Sequence, residues 1–220
     1  FALDVLRMKS WKGNLAQKVH FQNLELLEEL LKKGRGVLMI GAHFGNWEPL
    51  CPALMEKGIA SSMYVGSQSN PLTDLLQNET RRKWEIDTIG KGKDATIRIW
   101  NALKQNRVVG MLIDQDERKK GDFVDFFGKE ASTNTGAAAF HLLQKSPILL
   151  FTCPYIRNRI EFRFQKINFH QTGNQEADLS NLTKKMLSGL ENMIRRHPEQ
   201  YFWMHKRWRT RPSHDSRSPY

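Results

Sequence analysis

Cysteine, long apolar runs and the common catalytic signatures are scarce in this chain of 220 residues. The two cysteines, Cys51 and Cys153, stand alone, with no CxxC pair and no metal-type cluster. This usage argues against a disulfide framework and a metal site, and is typical of buried thiols in a reducing compartment. No stretch approaches the roughly 18 consecutive apolar residues that a membrane-spanning helix needs. No signal peptide, no G-x-S-x-G nucleophile elbow and no P-loop is visible.

The charge of the chain is strongly one-sided. Lysine and arginine number 34 against 23 acidic residues, which gives a net charge of +11 and a pI near 9.8. A surplus of this size indicates an anionic partner, either nucleic acid, an anionic membrane surface, or an acidic protein or substrate. The hydrophobic fraction of 40% and the length suit one folded domain with a sizeable core.

Apolar runs alternate along the chain with segments of helical periodicity. This alternation predicts an α/β fold whose sheet is largely parallel, with antiparallel pairing of the last two strands because no helix separates them. We expect a single domain over 1–212 and a disordered tail over 213–220. The predicted strands are 36–40, 60–65, 108–113, 147–153 and 160–167, and the predicted helices are 21–33, 47–57, 72–84, 94–103, 136–145 and 178–196.

The segment Gly41-Ala42-His43-Phe44-Gly45-Asn46-Trp47-Glu48 directly follows a predicted buried strand. His43 is therefore expected at the edge of the sheet, where open α/β sheets place reactive groups. Gly45 and Asn46 can interrupt helical geometry, so Glu48 could fold back onto the imidazole. A carboxylate there would fix the tautomer and leave the other ring nitrogen free to accept a proton. The alternative is a structural histidine at a strand end.

No side chain that could act as a nucleophile lies beside His43 in this segment. If His43 is a base, the group that it deprotonates should belong to the substrate, and a hydroxyl attacking an activated acyl group is the natural reaction. Backbone N–H groups of Gly45 and Asn46 would then be candidates for stabilising the oxyanion.

Three further segments are candidates for the site. Asp114-Gln115-Asp116 follows another predicted strand, where a carboxylate can be catalytic, can hold an arginine, or can simply cap a loop. Arg81 and Arg82 end a predicted helix, where they could brace carboxylates or bind phosphate, or only complement the helix dipole. The run 198–212 interleaves aromatic and basic residues, which suits lipid headgroups, nucleic acid, or a terminal strand with Tyr201 buried.

An acyl chain would need an apolar groove, and several aromatic side chains are candidates for its walls or for ordinary core. They are Phe44, Trp47, Phe123, Phe126 and Phe127.

Taken together, four blocks in this order resemble the bacterial lipid A biosynthesis acyltransferase family, the late acyltransferases of lipid A assembly. The resemblance runs from about Leu30 to Pro212. The blocks are 41–48, 112–116, 123–128 leading to 133–136, and 198–208. Asp125 departs from the pattern, because many relatives have proline there, and this departure concerns the shape of the local loop.

The resemblance implies a glycerol-3-phosphate-acyltransferase-like fold, with a mixed, largely parallel sheet flanked by helices. It also implies transfer of a fatty acyl chain from an acyl carrier protein or coenzyme A thioester to a hydroxyl of a lipid A precursor, an anionic glycolipid. The partners would include a membrane surface, at the cytoplasmic face of the bacterial inner membrane, and no nucleic acid. A membrane-spanning helix before Phe1 is expected, and neither a cofactor nor a metal is.

The resemblance also implies roles for individual residues. The HxxxxE/D dyad of the family falls on His43 and Glu48, and its supporting arginine and aspartate fall on Arg81 and Asp114. Substrate contacts are expected from Gly45, Asn46, Trp47, Arg82, Asp116 and Phe126.

Other functions use part of the same pattern. The acceptor could be another glycolipid, such as a phosphatidylinositol mannoside, and a thioesterase would use water in place of the hydroxyl. A basic nucleic-acid-binding module would use the charge and the 198–212 run but would leave His43 and Glu48 without a role.

Overall fold

The computed structural model describes residues 8, 10–11 and 14–215. Ten strands lie within them: β1 Val19–Gln22, β2 Val37–Gly41, β3 Ser61–Val65, β4 Asp87–Gly90, β5 Val108–Leu112, β6 Asp122–Phe126, β7 Lys129–Thr133, β8 Ile148–Thr152, β9 Tyr155–Ile156 and β10 Arg159–Ile167. The same residues form seven α-helices: α1 Leu15–Lys18, α2 Leu24–Leu31, α3 Leu50–Met55, α4 Pro71–Lys83, α5 Ala95–Lys104, α6 Gly136–Gln144 and α7 Gln175–Ile194.

The main sheet has the strand order β1-β10-β8-β2-β5-β3-β4, and β9 pairs with the start of β10. Strand β2 lies between β5 and β8 and runs parallel to both, and β3 runs parallel to β4 and β5. Strand β10 runs antiparallel to β8. The predicted α/β fold with a mixed, largely parallel sheet is confirmed, as is the antiparallel pairing of its late strands.

Alternate residues of the central strand pack into two cores on opposite faces of the sheet. Leu38 and Ile40 belong to one core, with residues of α5, α6 and α7, whereas Val37 and Met39 belong to the other, with residues of α2 and α3. Every residue of β2 and of β8 is buried. Burial on both faces explains why these strands are continuous apolar runs in the sequence.

Several short elements differ from the sequence prediction. The predicted helix 21–33 is shorter, because residues through Gln22 form β1, and the predicted helix 47–57 is only α3, because Glu48 and Pro49 form a turn. Strand β4 was not predicted, since only one of its four residues is buried.

The segment around Asp125 forms a two-stranded hairpin, β6–β7, separate from the main sheet. Phe127 and Gly128 connect its strands with φ values of 55° and 76°. Two consecutive residues of positive φ give the tight turn that matches the twist of a hairpin. Asp125 Oδ1 accepts a hydrogen bond from the Gly128 N–H at 3.3 Å, so the aspartate fits this turn.

Helix α4 begins with Asn70 as its cap and Pro71 at its first position, one residue before the predicted start. The Asn70 side chain accepts hydrogen bonds from the N–H groups of Leu72 and Thr73. Within the part of the chain that the structure describes, no helix is both long and apolar enough to cross a membrane. Of the predicted tail, Asp215 forms an ion pair with Arg211 and His214 one with Glu130, whereas 216–220 lie outside the described residues.

Candidate active site

The first group of the site is His43, in the loop that follows β2. Its ring nitrogen Nδ1 lies 2.8 Å from Oδ1 of Asp114, and its backbone N–H donates to Oδ2 of the same carboxylate at 2.9 Å. Asp114 follows β5, which neighbours β2 in the sheet. Because the carboxyl ends of these parallel strands meet at one edge, the topology itself brings the imidazole and the carboxylate together.

The charge state of Asp114 sets the tautomer of His43. Burial alone would raise the pKa of Asp114, but the neighbouring imidazole and hydrogen bonds from His43 outweigh burial and hold this pKa below 3.8. The ionised carboxylate accepts the Nδ1–H, which leaves Nε2 of the neutral ring with its lone pair. The Gln115 side-chain nitrogen lies 3.3 Å from that atom and is placed to donate to it. The ring is thus prepared to accept a proton at Nε2.

Glu48 does not take the position that the sequence analysis expected. Its carboxylate is paired with Arg81 of α4, through Nη2 to Oε1 at 2.7 Å and Nε to Oε2 at 3.2 Å. Both side chains are buried. The prediction that Glu48 orients His43 is therefore wrong. The turn at Glu48 and Pro49 places the Glu48 carboxylate next to α4, and the carboxylate bonded to the imidazole is that of Asp114. Glu48 and Asp114 thus have separate partners, Arg81 for the first and His43 for the second.

A cavity of about 540 Å³ opens beside His43. This volume lies within the roughly 300–1,000 Å³ that is usual for ligand sites. The Trp47 ring system packs against the imidazole in an edge-to-face arrangement, with the two ring centres 4.8 Å apart. The wall also includes Gly45, Glu48, Arg81 and buried apolar side chains, among them Leu50, Cys51, Met63, Met111 and Phe151.

The segment 198–212, called the C-terminal segment below, holds the His43 loop in place. The Phe202 N–H donates to the His43 carbonyl at 2.9 Å, and the Gly45 N–H donates to the Gln200 carbonyl at 3.0 Å. Phe44 and Tyr201 form an antiparallel bridge between these contacts. The loop is therefore clamped by backbone hydrogen bonds on both sides of Phe44.

These contacts correct the expected oxyanion donors. The N–H of Gly45 is already bonded to Gln200. Asn46 is buried and is not among the residues that line the cavity, and its Oδ1 accepts from the Glu48 N–H at 3.2 Å. Gly45 lines the cavity but its N–H is engaged, and Asn46 lies outside the cavity wall, so neither residue is placed as the predicted oxyanion donor.

The same segment also fixes the loop after β5. Arg207 is buried and donates to the Gln115 carbonyl at 3.1 Å. The Asp116 N–H donates to Nε2 of His205 at 2.9 Å, and Thr210 donates to the Asp116 carboxylate at 2.9 Å. Burial lowers the pKa of His205, which agrees with a neutral ring that accepts at Nε2.

Besides Asn46, three further residues that were expected to contact substrate lie outside the cavity wall. Arg82 is exposed and is not part of the cavity wall, and Asp116 is bonded to the C-terminal segment. Phe126 is fully buried and packs against Tyr201 and Trp208. Of the aromatic candidates for the groove, Trp47 lines the cavity, whereas Phe44, Phe123, Phe126 and Phe127 do not.

Two glutamines of the cavity wall had no role assigned to them from the sequence. Gln115 lies beside Nε2 of His43, and Gln77 lies one helical turn before Arg81 on the inner face of α4. Gln115 belongs to the 112–116 block, so its position next to Asp114 was a usable signal. Among the described residues, no group of three His, Cys, Asp or Glu side chains is arranged to hold a metal ion.

Comparison with known proteins adds independent information. The family profile of the bacterial lipid A biosynthesis acyltransferases matches residues 3–210. The chain belongs to this family. It is 27% identical over 202 residues to the lipid A biosynthesis palmitoleoyltransferase of Escherichia coli (strain K12), covering 89% of this chain and 63% of that protein.

Two other members from the same organism are similar to the chain to a comparable degree. The lipid A biosynthesis lauroyltransferase is 29% identical over 194 residues, with 86% of this chain and 61% of that protein covered. The lipid A biosynthesis myristoyltransferase is 24% identical over 198 residues, with coverages of 88% and 60%. The chain thus spans somewhat less than two thirds of the length of these relatives.

Proposed function

We propose that this chain transfers a fatty acyl group from an acyl thioester to a hydroxyl of a lipid A precursor. The observation that carries the proposal is the pairing of His43 with the buried Asp114 carboxylate at the edge of a cavity. Membership of the lipid A acyltransferase family supports this reaction, as do relatives whose names specify palmitoleoyl, lauroyl and myristoyl transfer.

In this mechanism, Nε2 of His43 accepts the proton of the acceptor hydroxyl as its oxygen attacks the thioester carbonyl. Asp114 keeps the ring in the required tautomer and stabilises the imidazolium that forms. The tetrahedral intermediate then collapses, the carbon–sulfur bond breaks, and the leaving thiolate takes the proton from the imidazolium. The Gln115 side chain must leave Nε2 when the hydroxyl binds, and its exposure permits this movement.

The Glu48–Arg81 pair has a different role in the proposal. Each of its side chains lines the cavity, and the pair ties the loop after β2 to α4. We propose that it keeps the wall next to His43 rigid and electrically balanced while the ligand is bound.

The donor is proposed to be the thioester of acyl carrier protein or coenzyme A, and the reaction is proposed to occur at the cytoplasmic face of the inner membrane. Two segments that line the cavity also carry exposed apolar side chains, namely Leu72 and Leu75 on α4, and Phe202, Trp203 and Met204 in the C-terminal segment. Aromatic and basic residues together suit a lipid headgroup interface. The net charge of +11 supports an acidic carrier protein and an anionic acceptor.

The proposal predicts that His43→Ala abolishes acyl transfer. Loss of a positioned base typically lowers the rate by about 10²–10⁴-fold. The measurement is mass spectrometry of a lipid A precursor incubated with acyl carrier proteins that bear chains of different length. His170→Ala is the matched control, because His170 is exposed and lies outside the cavity.

Wild-type-like turnover of the His43→Ala protein would refute the assignment of the base. Release of free fatty acid at a rate that added glycolipid does not change would instead identify a thioesterase.

A further inference from the structure

Helix α4 places polar side chains where a helix that packs on a core normally has apolar ones. Its buried residues Gln77, Thr80 and Arg81 have the i, i+3, i+4 spacing of one inward face. Thr80 donates to the Leu76 carbonyl at 2.9 Å, and Arg81 is bonded to Glu48. Two of the three inward polar groups are therefore satisfied by the protein.

Gln77 is the exception. It is only 2% exposed and lines the cavity, yet neither its Oε1 nor its Nε2 has a hydrogen-bond partner among the described residues. Buried polar groups in proteins are almost always hydrogen-bonded, because leaving them unpaired is costly. Because Gln77 borders the cavity while both of its polar atoms are buried, a partner supplied by the ligand is indicated, which the amide meets by turning towards the cavity.

The chemistry of the amide defines that partner. Oε1 accepts a hydrogen bond and Nε2 donates one, and a hydroxyl group can satisfy both atoms because it also donates and accepts. A charged group is a poorer match, since Arg81, the cation one turn along the helix, is already neutralised by Glu48. The partner of Gln77 should therefore be neutral and hydroxyl-bearing.

The depth of Gln77 indicates which part of the ligand reaches it. The residues of the wall that are exposed, such as Gln68, Gln115 and Phe202, mark the mouth of the cavity, whereas Gln77 is buried. The other buried side chains of the wall, apart from the Glu48–Arg81 pair, are mostly apolar, as in Leu50, Met63 and Phe151. A hydrocarbon chain suits such a wall, and one polar group on it would meet the amide.

We infer that Gln77 is a specificity-determining residue that binds a hydroxyl group carried on the acyl chain of the donor. This inference rests on the proposed acyl transfer and adds a preference to it, namely selection of hydroxylated acyl chains over unsubstituted ones of equal length. Two hydrogen bonds to one hydroxyl would give a preference of about tenfold to a hundredfold.

The test compares wild type with Gln77→Met, which keeps an unbranched side chain but removes both polar atoms. Carrier-protein thioesters of one chain length, unsubstituted, 2-hydroxylated and 3-hydroxylated, are supplied to each protein and kcat/KM is measured. We expect wild type to prefer one hydroxylated chain, and Gln77→Met to lose that preference while it still transfers the unsubstituted chain. The matched control is Asn78→Met, the same change of amide to thioether on the exposed side of α4.

A binding measurement separates failure of this inference from failure of the proposed reaction. Thermal unfolding is followed with free hydroxy and unsubstituted fatty acids of one length as probes. The hydroxy acid should raise the Tm of wild type further, and the two acids should act equally on Gln77→Met. Without ligand, Gln77→Met should raise Tm by about 2–4 °C, because it removes unpaired buried atoms.

Three outcomes would overturn the inference. The first is a lack of preference for any hydroxylated chain in wild type. The second is a Gln77→Met protein whose only defect is a higher KM for the acceptor, which would assign the hydroxyl to the acceptor. The third is a lower Tm for ligand-free Gln77→Met, which would indicate a purely structural glutamine.

Discussion

At the scale of single residues, Asp114 positions both the ring and the backbone of His43, a role that its place in the sequence does not reveal. Its two oxygens accept from two different groups of His43, the ring Nδ1–H and the backbone N–H. Orientation of the ring and orientation of its loop therefore depend on one carboxylate. A substitution that keeps the shape of this side chain but changes its hydrogen-bonding character tests both roles.

Asp114→Asn should lower acyl transfer by about 10²–10⁴-fold. An asparagine has one accepting oxygen, so its NH₂ group must face either the backbone N–H or Nδ1. If it faces Nδ1, the ring adopts the other tautomer and Nε2 is protonated, which removes the base. Steady-state kinetics with saturating donor measures the loss, and unchanged kcat would contradict the role of Asp114.

The same variant should change how the stability of the protein depends on pH. The folded-state pKa of Asp114 lies below 3.8, so the unfolded state binds more protons, and this stabilisation is present above about pH 4. It is lost as the pH falls through the folded-state value. Because hydrogen bonds from Thr172 also lower the pKa of Asp178, the measurement is the difference in acid unfolding between wild type and Asp114→Asn. We expect the variant to show the weaker acid dependence.

Arg81→Met should destabilise the fold by about 3–5 kcal/mol, because it leaves the Glu48 carboxylate buried without its partner. Urea unfolding measures the change. The double variant Glu48→Met with Arg81→Met should recover most of the loss, and a single variant as stable as wild type would contradict this account.

At the scale of elements, the His43 loop depends on a close backbone approach at Gly45. Gly45 has a φ of 62°, and a Cβ built there would lie 1.9 Å from the carbonyl oxygen of Cys153. The loop can therefore pass over the end of β8 only where a residue has no side chain.

Gly45→Ala should cost more stability than the strain of a positive φ alone, which is about 1–3 kcal/mol. It should also lower acyl transfer, because the backbone of the loop must shift. Gly58→Ala is the matched control, since Gly58 has a φ of 74° with nothing within 4 Å of its added Cβ. Equal loss of Tm in the two variants would show that the contact with Cys153 is unimportant.

The elements that could be predicted are those that the local sequence pattern identifies without knowledge of which elements pack beside them. Strands β2, β5 and β8 are buried on both faces, and α4 has a side-chain cap, so local pattern suffices to find them. The partner of His43 is instead decided by which strand lies next to β2. No local pattern in the residues 41–48 encodes that neighbour, which explains why Glu48 rather than Asp114 was expected at the imidazole.

At the scale of the whole molecule, the basic surplus should act at the edge of the sheet that carries His43. The C-terminal segment places exposed Lys206 and Arg209 near the exposed Phe202, Trp203 and Met204. Lys32 and Lys33 precede β2 and therefore lie at the opposite edge of the sheet. One exposed basic pair, Lys206 and Arg209, therefore lies at the edge that carries His43, and another, Lys32 and Lys33, lies at the opposite edge.

Neutralising Lys206 and Arg209 to alanine should weaken binding to anionic vesicles by about 2 kcal/mol, since each basic residue near such a surface contributes about 1 kcal/mol. Removing Lys32 and Lys33 changes the net charge equally and should have a smaller effect. Co-sedimentation at increasing salt measures both, and binding of wild type should weaken steeply as screening increases. Equal binding to neutral vesicles would contradict an electrostatic contribution.

The C-terminal segment has a consequence for how the protein is made. The loops that carry His43 and Asp114 obtain their backbone partners from residues 200–210, which are synthesised long after both loops. During translation, the sheet can begin to form while the imidazole and its carboxylate still lack this support. A chain interrupted before residue 198 would lack all of these partners, so we expect it to be inactive in acyl transfer even where the sheet has formed.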